Sequence, residues 1–130
     1  MDASVVTSAL VDRGPDGVWS ALAMRDHRLV TPHLLPVEVA NVLRRAVLAG
    51  RLSDDVAAMA HGDLVALPFD LVEYAPFAER CWQLRASVSV YDAWYVAVAE
   101  AFGAELATLD RRLLRAPGPR CLFVSPPPRP

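Results

Sequence analysis

Residues 90–102, which run Val-Tyr-Asp-Ala-Trp-Tyr-Val-Ala-Val-Ala-Glu-Ala-Phe, place apolar side chains on nearly every face of a helix. Such a helix needs cover on several sides, so the chain must build layers of structure around it. The rest of the chain supplies candidate layers. Residues 29–31 read as a brief buried strand. Residues 34–49 read as a helix, with Leu35, Val39, Val42, Leu43 and Ala46 at helical spacing and Gly50 where a C-cap belongs. Ser53, followed by Asp54 and Asp55, has the form of an N-cap with acids in the first turn; it opens a helix to about residue 67 that Pro68 ends. Strands are expected at 70–73, 105–109 and 121–124, and helices at 76–85 and 111–115. Before all of these, residues 5–11 and 18–24 form two short helices around a turn at 12–17. Strand and helix alternate, which predicts an α/β fold with a parallel sheet and helices on both faces.

A length of 130 residues with 54% hydrophobic and 22% charged content suits one globular domain, residues 1–125. The proline-rich end, residues 126–130, is expected to be an extended, mobile tail. No apolar run is long enough for a bilayer span, and Asp2 stands where a secretory signal would carry a basic residue, so a cytoplasmic location without membrane contact is expected. Cys81 and Cys121 form no CxxC pair, and His27, His33 and His61 lack zinc-site spacing. All 13 basic residues are arginine, which excludes chemistry that needs a lysine base, a Schiff base or a Walker lysine. Receiver domains and haloacid-dehalogenase-type phosphatases use acids at strand ends together with a lysine, so both are set aside. The net charge of −2 does not by itself decide for or against nucleic acid, because local patches differ from the average.

In a parallel sheet, residues just past the carboxyl ends of the strands gather along one edge. Asp110 follows the expected strand ending Ala107-Thr108-Leu109, and Asp2 would follow a first strand. Asp92 and Glu38 sit near the N-terminal ends of their helices, Glu38 in a first turn opened by Pro36. Carboxylates brought within a few ångströms repel by roughly 4 kcal/mol per pair at an effective dielectric near 20, which a hard divalent cation relieves. Each acid also has a plainer role available. Asp92 completes a capping box with Ser89, Asp110 can N-cap the next turn, Glu38 can pair with nearby arginines, and Asp2 can be an exposed terminal acid.

Taken together, these positions resemble the PIN domain, and within it the toxin component of VapBC toxin-antitoxin systems. Asp2-Ala3-Ser4 is similar to the acid-x-Ser that ends the first PIN strand. Pro36-Val37-Glu38-Val39-Ala40-Asn41-Val42-Leu43 resembles the helix carrying the family's glutamate. Tyr91-Asp92-Ala93-Trp94-Tyr95-Val96-Ala97-Val98-Ala99-Glu100 is close to a Tyr-Asp-Ala-x-Tyr-x-Ala-x-Ala-Glu run, and Thr108-Leu109-Asp110 matches Thr-x-Asp. The resemblance implies a three-layer α/β/α sandwich with a central, mostly parallel sheet. It implies Mg²⁺ or Mn²⁺ held by Asp2, Glu38, Asp92 and Asp110 as the catalytic set, with Ser4, Asn41 and Thr108 in support. It further implies a metal-dependent endoribonuclease toxin acting on RNA of the tRNA or rRNA class, a homodimer, and a cognate VapB-type antitoxin. The alternative within the same family is a PIN-like module that binds RNA or antitoxin without cutting. One departure stands out: only Met1 precedes Asp2, so either the start is placed too far downstream or the first strand is very short, and a truncated strand is expected to cost the site rigidity. Promoting Asp12 instead, with residues 5–11 as the strand, breaks the acid-x-Ser match and puts the acid in a turn, so Asp2 is preferred.

Phosphate contacts need cations, and the candidates are Arg13, Arg44, Arg45, Arg85, Arg111, Arg112 and Arg115. Arg111 and Arg112 are preferred because they directly follow Asp110. Tyr91, Trp94 and Tyr95 lie in an apolar helical run, so packing is their expected work, with Tyr91 nearest the helix entrance.

Overall fold

The structure, a computed structural model, describes residues 1–130. Helix α1 spans Ala3–Val11. It opens two residues earlier than the apolar pattern predicts, because the Asp2 carboxylate accepts from the Ser4 and Val5 amides at 3.0 and 3.4 Å. Helix α2, Pro15–Met24, also begins early, since the fixed φ of Pro15 suits a first turn and shortens the expected loop. Gly17 lies against the end of α1 so closely that a Cβ there would come within 1.8 Å of the Asp12 carbonyl oxygen.

Strand β1, Leu29–Pro32, leads into α3, Leu34–Leu48. Helix α4, Asp54–Ala66, follows with Ser53 as its N-cap, and β2 is Phe69–Val72. The helix expected at 76–85 divides into a 3₁₀ turn, Ala75–Phe77, and α5, Ala78–Gln83, with Pro76 in the tight turn. The apolar run forms α6, Val90–Ala101. Strand β3 is Leu106–Ala107, α7 is Arg111–Arg115, and β4 is Phe123–Val124, so the last two strands are shorter than the apolar runs that predicted them.

Both strand pairings are parallel, as the alternation predicts: β1 with β2 in the register Leu29 to Phe69, and β3 with β4 in the register Leu106 to Phe123. The start of the chain joins this layer through one backbone bond, Asp2 N–H to the Ala107 carbonyl at 3.0 Å, and passes directly into α1. Helices α1, α3 and α4 pack together, α5 packs on α6, and α6 touches both β1 and β3 and so bridges the two strand pairs. The result is the three-layer α/β/α arrangement. A single apolar cluster runs through it from Val6 of α1 and Leu35, Val39 and Leu43 of α3 to Leu64 of α4, Val96 of α6 and Leu106 of β3.

The nearly all-round apolarity of α6 has its reason here, since Ala93 and residues 95–99 are all buried. Its far end is clasped by Arg80, which donates to the two Glu100 oxygens at 2.7 and 3.0 Å and to the Gly118 carbonyl at 2.9 Å. The Arg120 amide adds a 2.7 Å bond to Glu100, and this set of bonds, led by Arg80, holds the Glu100 carboxyl below the usual carboxylate range. The tail after Ser125 has no helix or strand, and Arg129 pairs with Asp16 of α2 at 2.8 Å. No helix is long and apolar enough to cross a membrane.

Candidate active site

Asp2 is 5% exposed, and both of its oxygens are engaged. Oδ1 accepts from the Ser4 and Val5 amides and from the Ser4 hydroxyl, and Oδ2 accepts from the Thr108 hydroxyl. The same two hydroxyls accept in turn: Ser4 Oγ from the Leu109 amide and Thr108 Oγ1 from the Asp110 amide, both at 3.0 Å. The acid-x-Ser and Thr-x-Asp segments thus form one interlocked unit. It ties the start of the chain to the loop leaving β3 and sets where Asp2 and Asp110 stand.

Asp110 N-caps α7 through Oδ1, which accepts from the Arg112 amide at 2.8 Å, so its structural role is real and leaves the other oxygen free. Asp92 sits in the first turn of α6, where the Ser89 hydroxyl accepts from its amide at 3.1 Å. Ser89 therefore N-caps the helix, but no reciprocal bond from the Ser89 amide to the Asp92 carboxylate closes a full capping box, so the cap positions the acid without consuming it. Glu38 lies one residue past the first turn of α3, because that helix opens at Leu34 and not at Pro36. Its Oε1 accepts from the Tyr95 hydroxyl at 2.8 Å.

All four acids line one cavity of about 510 Å³. Asp12, Ser4, Thr7, Ser8, Val42 and Tyr95 are also in its wall. None of the four acids forms an ion pair; the arginine–carboxylate pairs of this chain are Arg25–Asp26, Arg28–Asp70, Arg80–Glu100 and Arg129–Asp16. The plainer role considered for Glu38, pairing with local arginines, is therefore absent. Burial pushes the Glu38 carboxyl up from its ordinary range, the Tyr95 hydroxyl opposes this, and the charges of Asp92 and Asp2 add to the rise. Burial likewise raises Asp92, reinforced by Asp110 and Asp2 and opposed by Ser89. The Tyr95 phenol is driven up by burial and then by Glu38, so it stays a hydrogen-bond donor.

A hard divalent cation fits this donor set. The acids repel one another, nothing cationic balances them, and one oxygen each of Glu38 and Asp110 carries no hydrogen bond. No three of the side chains converge tightly enough to share one ion, so direct ligation would come from one or two carboxylates with water completing the shell. That is the manner in which Mg²⁺-type ions bind proteins.

The structure does not bring every expected residue to this place. Asn41 is exposed and absent from the cavity wall; Val42, one residue on, faces it instead. Arg112 is exposed and contributes its amide to Asp110, while the Arg111 side chain lines an adjoining cavity. Tyr91 is 64% exposed beside Asp92, and Trp94 packs edge-on against Tyr74 with ring centroids 5.3 Å apart. Two features of the wall escape sequence reading. Asp12, set aside as an alternative to Asp2, closes α1 and stands in the wall beside it as a fifth carboxylate. Tyr95, read as packing alone, also orients Glu38.

A layered α/β/α fold with unpaired acids at the carboxyl end of a parallel strand is the architecture of the PIN domain, whose family model matches residues 1–119. The chain belongs to the PIN domain family. It is 39% identical over 125 residues to Ribonuclease VapC1 of Mycobacterium tuberculosis, spanning 93% of this chain and 92% of that protein. Ribonuclease VapC12 of the same organism is 32% identical over 118 residues, 91% of each chain. The crystal structure of PAE2754 from Pyrobaculum aerophilum superposes with a TM-score of 0.64 at 24% identity, covering 87% of this chain and 74% of that one; it supports the fold.

Proposed function

We propose that this chain is a VapC-type endoribonuclease, the toxin of a toxin-antitoxin pair, that uses Mg²⁺ or Mn²⁺ to hydrolyse phosphodiester bonds in RNA. The observation that carries the reading is the cavity itself: carboxylates from four separate segments line it, and no arginine neutralises them. Length and similarity support it, because the chain matches proteins named as VapC ribonucleases across nearly their whole length.

Asp2, Glu38, Asp92 and Asp110 are the candidates to hold the ion. A cation bound there supplies an acidified water and charge stabilisation at the phosphorus. The remaining work belongs to the protein. Ser4 and Thr108 keep Asp2 in one rotamer and link it to the backbone before Asp110. Tyr95 orients Glu38, and Ser89 anchors the turn that presents Asp92. Arg111 and Arg112 meet phosphates beside the cut.

The same reading makes a VapB-type antitoxin the protein partner, RNA of the tRNA or rRNA class the substrate, a homodimer the assembly and the cytoplasm the location. Exposed apolar side chains support partner surfaces: Val37 and Leu48 on α3 and Met59 and Val65 on α4 are each at least 67% exposed. The test is incubation of the purified protein with total cellular RNA in Mg²⁺ or Mn²⁺. Cleavage is expected to stop in EDTA and to fall to background in Asp92→Asn. Cleavage that survives both changes overturns the proposal, and so does RNA that is bound in the presence of metal but never cut.

A further inference from the structure

We propose that Arg129, in the proline-rich tail, and Arg111, at the start of α7, form a phosphate subsite that holds the RNA strand beside the acidic cavity. The inference rests on the ribonuclease reading above and adds a specific contact to it. A second cavity of about 230 Å³ lies next to the first, lined by Asp16, Leu109, Arg111, Leu114, Ser125, Arg129 and two tail prolines. Leu109 belongs to the walls of both cavities and directly precedes Asp110. A strand whose scissile phosphate reaches the acids would cross Leu109 and bring a neighbouring phosphate to the two guanidinium groups.

The chemistry of this second cavity is opposite to that of the first. Arg111 has no carboxylate partner, and the only partner of Arg129 is Asp16. That pair is open to solvent, with the Arg129 and Asp16 side chains 63% and 34% exposed, so it is weak and yields readily to a better anion. A phosphate is such an anion, because it matches the planar guanidinium fork and Ser125 can donate a further hydrogen bond. The prolines at 126–128 favour an extended backbone, which narrows the conformations open to the tail and lowers the entropy Arg129 loses on binding.

The experiment measures binding of a labelled, mixed-sequence single-stranded RNA to the full chain carrying Asp92→Asn, so that the RNA stays intact, over a range of salt concentrations. Added Arg129→Gln is expected to weaken binding and to flatten the log–log salt dependence by about 0.7, the value of one phosphate contact on a single strand. Arg129→Lys is expected to keep the slope. Asp16→Asn is expected to bind RNA at least as tightly as the parent, because the competing carboxylate is gone. An unchanged slope in Arg129→Gln with intact parental binding overturns the subsite alone. A loss in Asp16→Asn equal to that in Arg129→Gln also overturns it, since it would make the pair a structural brace. Absence of RNA binding by the parent overturns the ribonuclease reading and the subsite with it.

Discussion

Tyr95 is 2% exposed, and its hydroxyl reaches Glu38 at 2.8 Å, so one side chain both fills the core and orients a site carboxylate. Tyr95→Phe keeps the ring and removes the bond. The expected results are a stability loss of about 1 kcal/mol and a metal affinity about tenfold weaker, read from the metal dependence of cleavage. An unchanged metal dependence would show that the phenol is only packing. Glu38 and Asp92 also set a pH dependence, because burial raises both above their ordinary range. A raised folded-state pKa means that the folded chain binds more protons than the unfolded one. The associated stability is therefore complete below the unfolded pKa and is lost as pH rises through the folded pKa. In EDTA, the melting temperature of the native chain is expected to fall relative to Glu38→Gln as pH rises above the ordinary carboxylate range. Parallel melting curves for the two proteins across that window would contradict this account.

Among the elements, α1 and α6 do the most to build the site, and each does so through its first turn. Asp2 caps α1 and Ser89 caps α6, so the signals that start these helices also set the directions of Asp2 and Asp92. The position of α1 depends on α2 behind it, and Gly17 is what permits their close approach. Gly17→Ala would press a methyl group onto the Asp12 carbonyl, where only backbone could move aside. The expected cost is about 3 kcal/mol, toward the upper end of overpacking effects, measured by denaturant unfolding. A variant as stable as the native chain would mean that the two helices can slide apart freely. Asp12 borders the cavity, so cleavage is expected to fall along with stability.

At the scale of the whole molecule, the fold gathers like charges on one side and leaves them without counter-ions. Five carboxylates, counting Asp12, line one cavity while Arg25, Arg28, Arg80 and Arg129 pair with acids elsewhere. That repulsion works against the metal-free fold, and a cation removes it. Mg²⁺ or Mn²⁺ at a hundredfold excess over its dissociation constant is expected to add about 2.7 kcal/mol, a rise of roughly 10 °C in melting temperature for a domain of this size. Asp92→Asn is expected to abolish most of the rise. An equal rise in the variant would place the ion elsewhere.

Short-range chemistry was legible in the chain alone. The caps at Ser53 and Ser89, the stop at Pro68, the left-handed Gly50 with its φ of 72° and the buried periodicity of α6 all depend on neighbours a few residues apart. That four acids gather at one cavity was legible too, because each lies in a short segment whose residue types resemble a known pattern. What the sequence could not specify was how the elements rotate and meet. The bond from Thr108 to Asp2 joins residues 106 positions apart, and the contact of Tyr95 with Glu38 spans 57. Such contacts decide that Asp12 and Val42 face the cavity while Asn41 faces solvent. A turn of a helix by one residue swings a side chain through about 100°, and only packing against the other layers selects the angle.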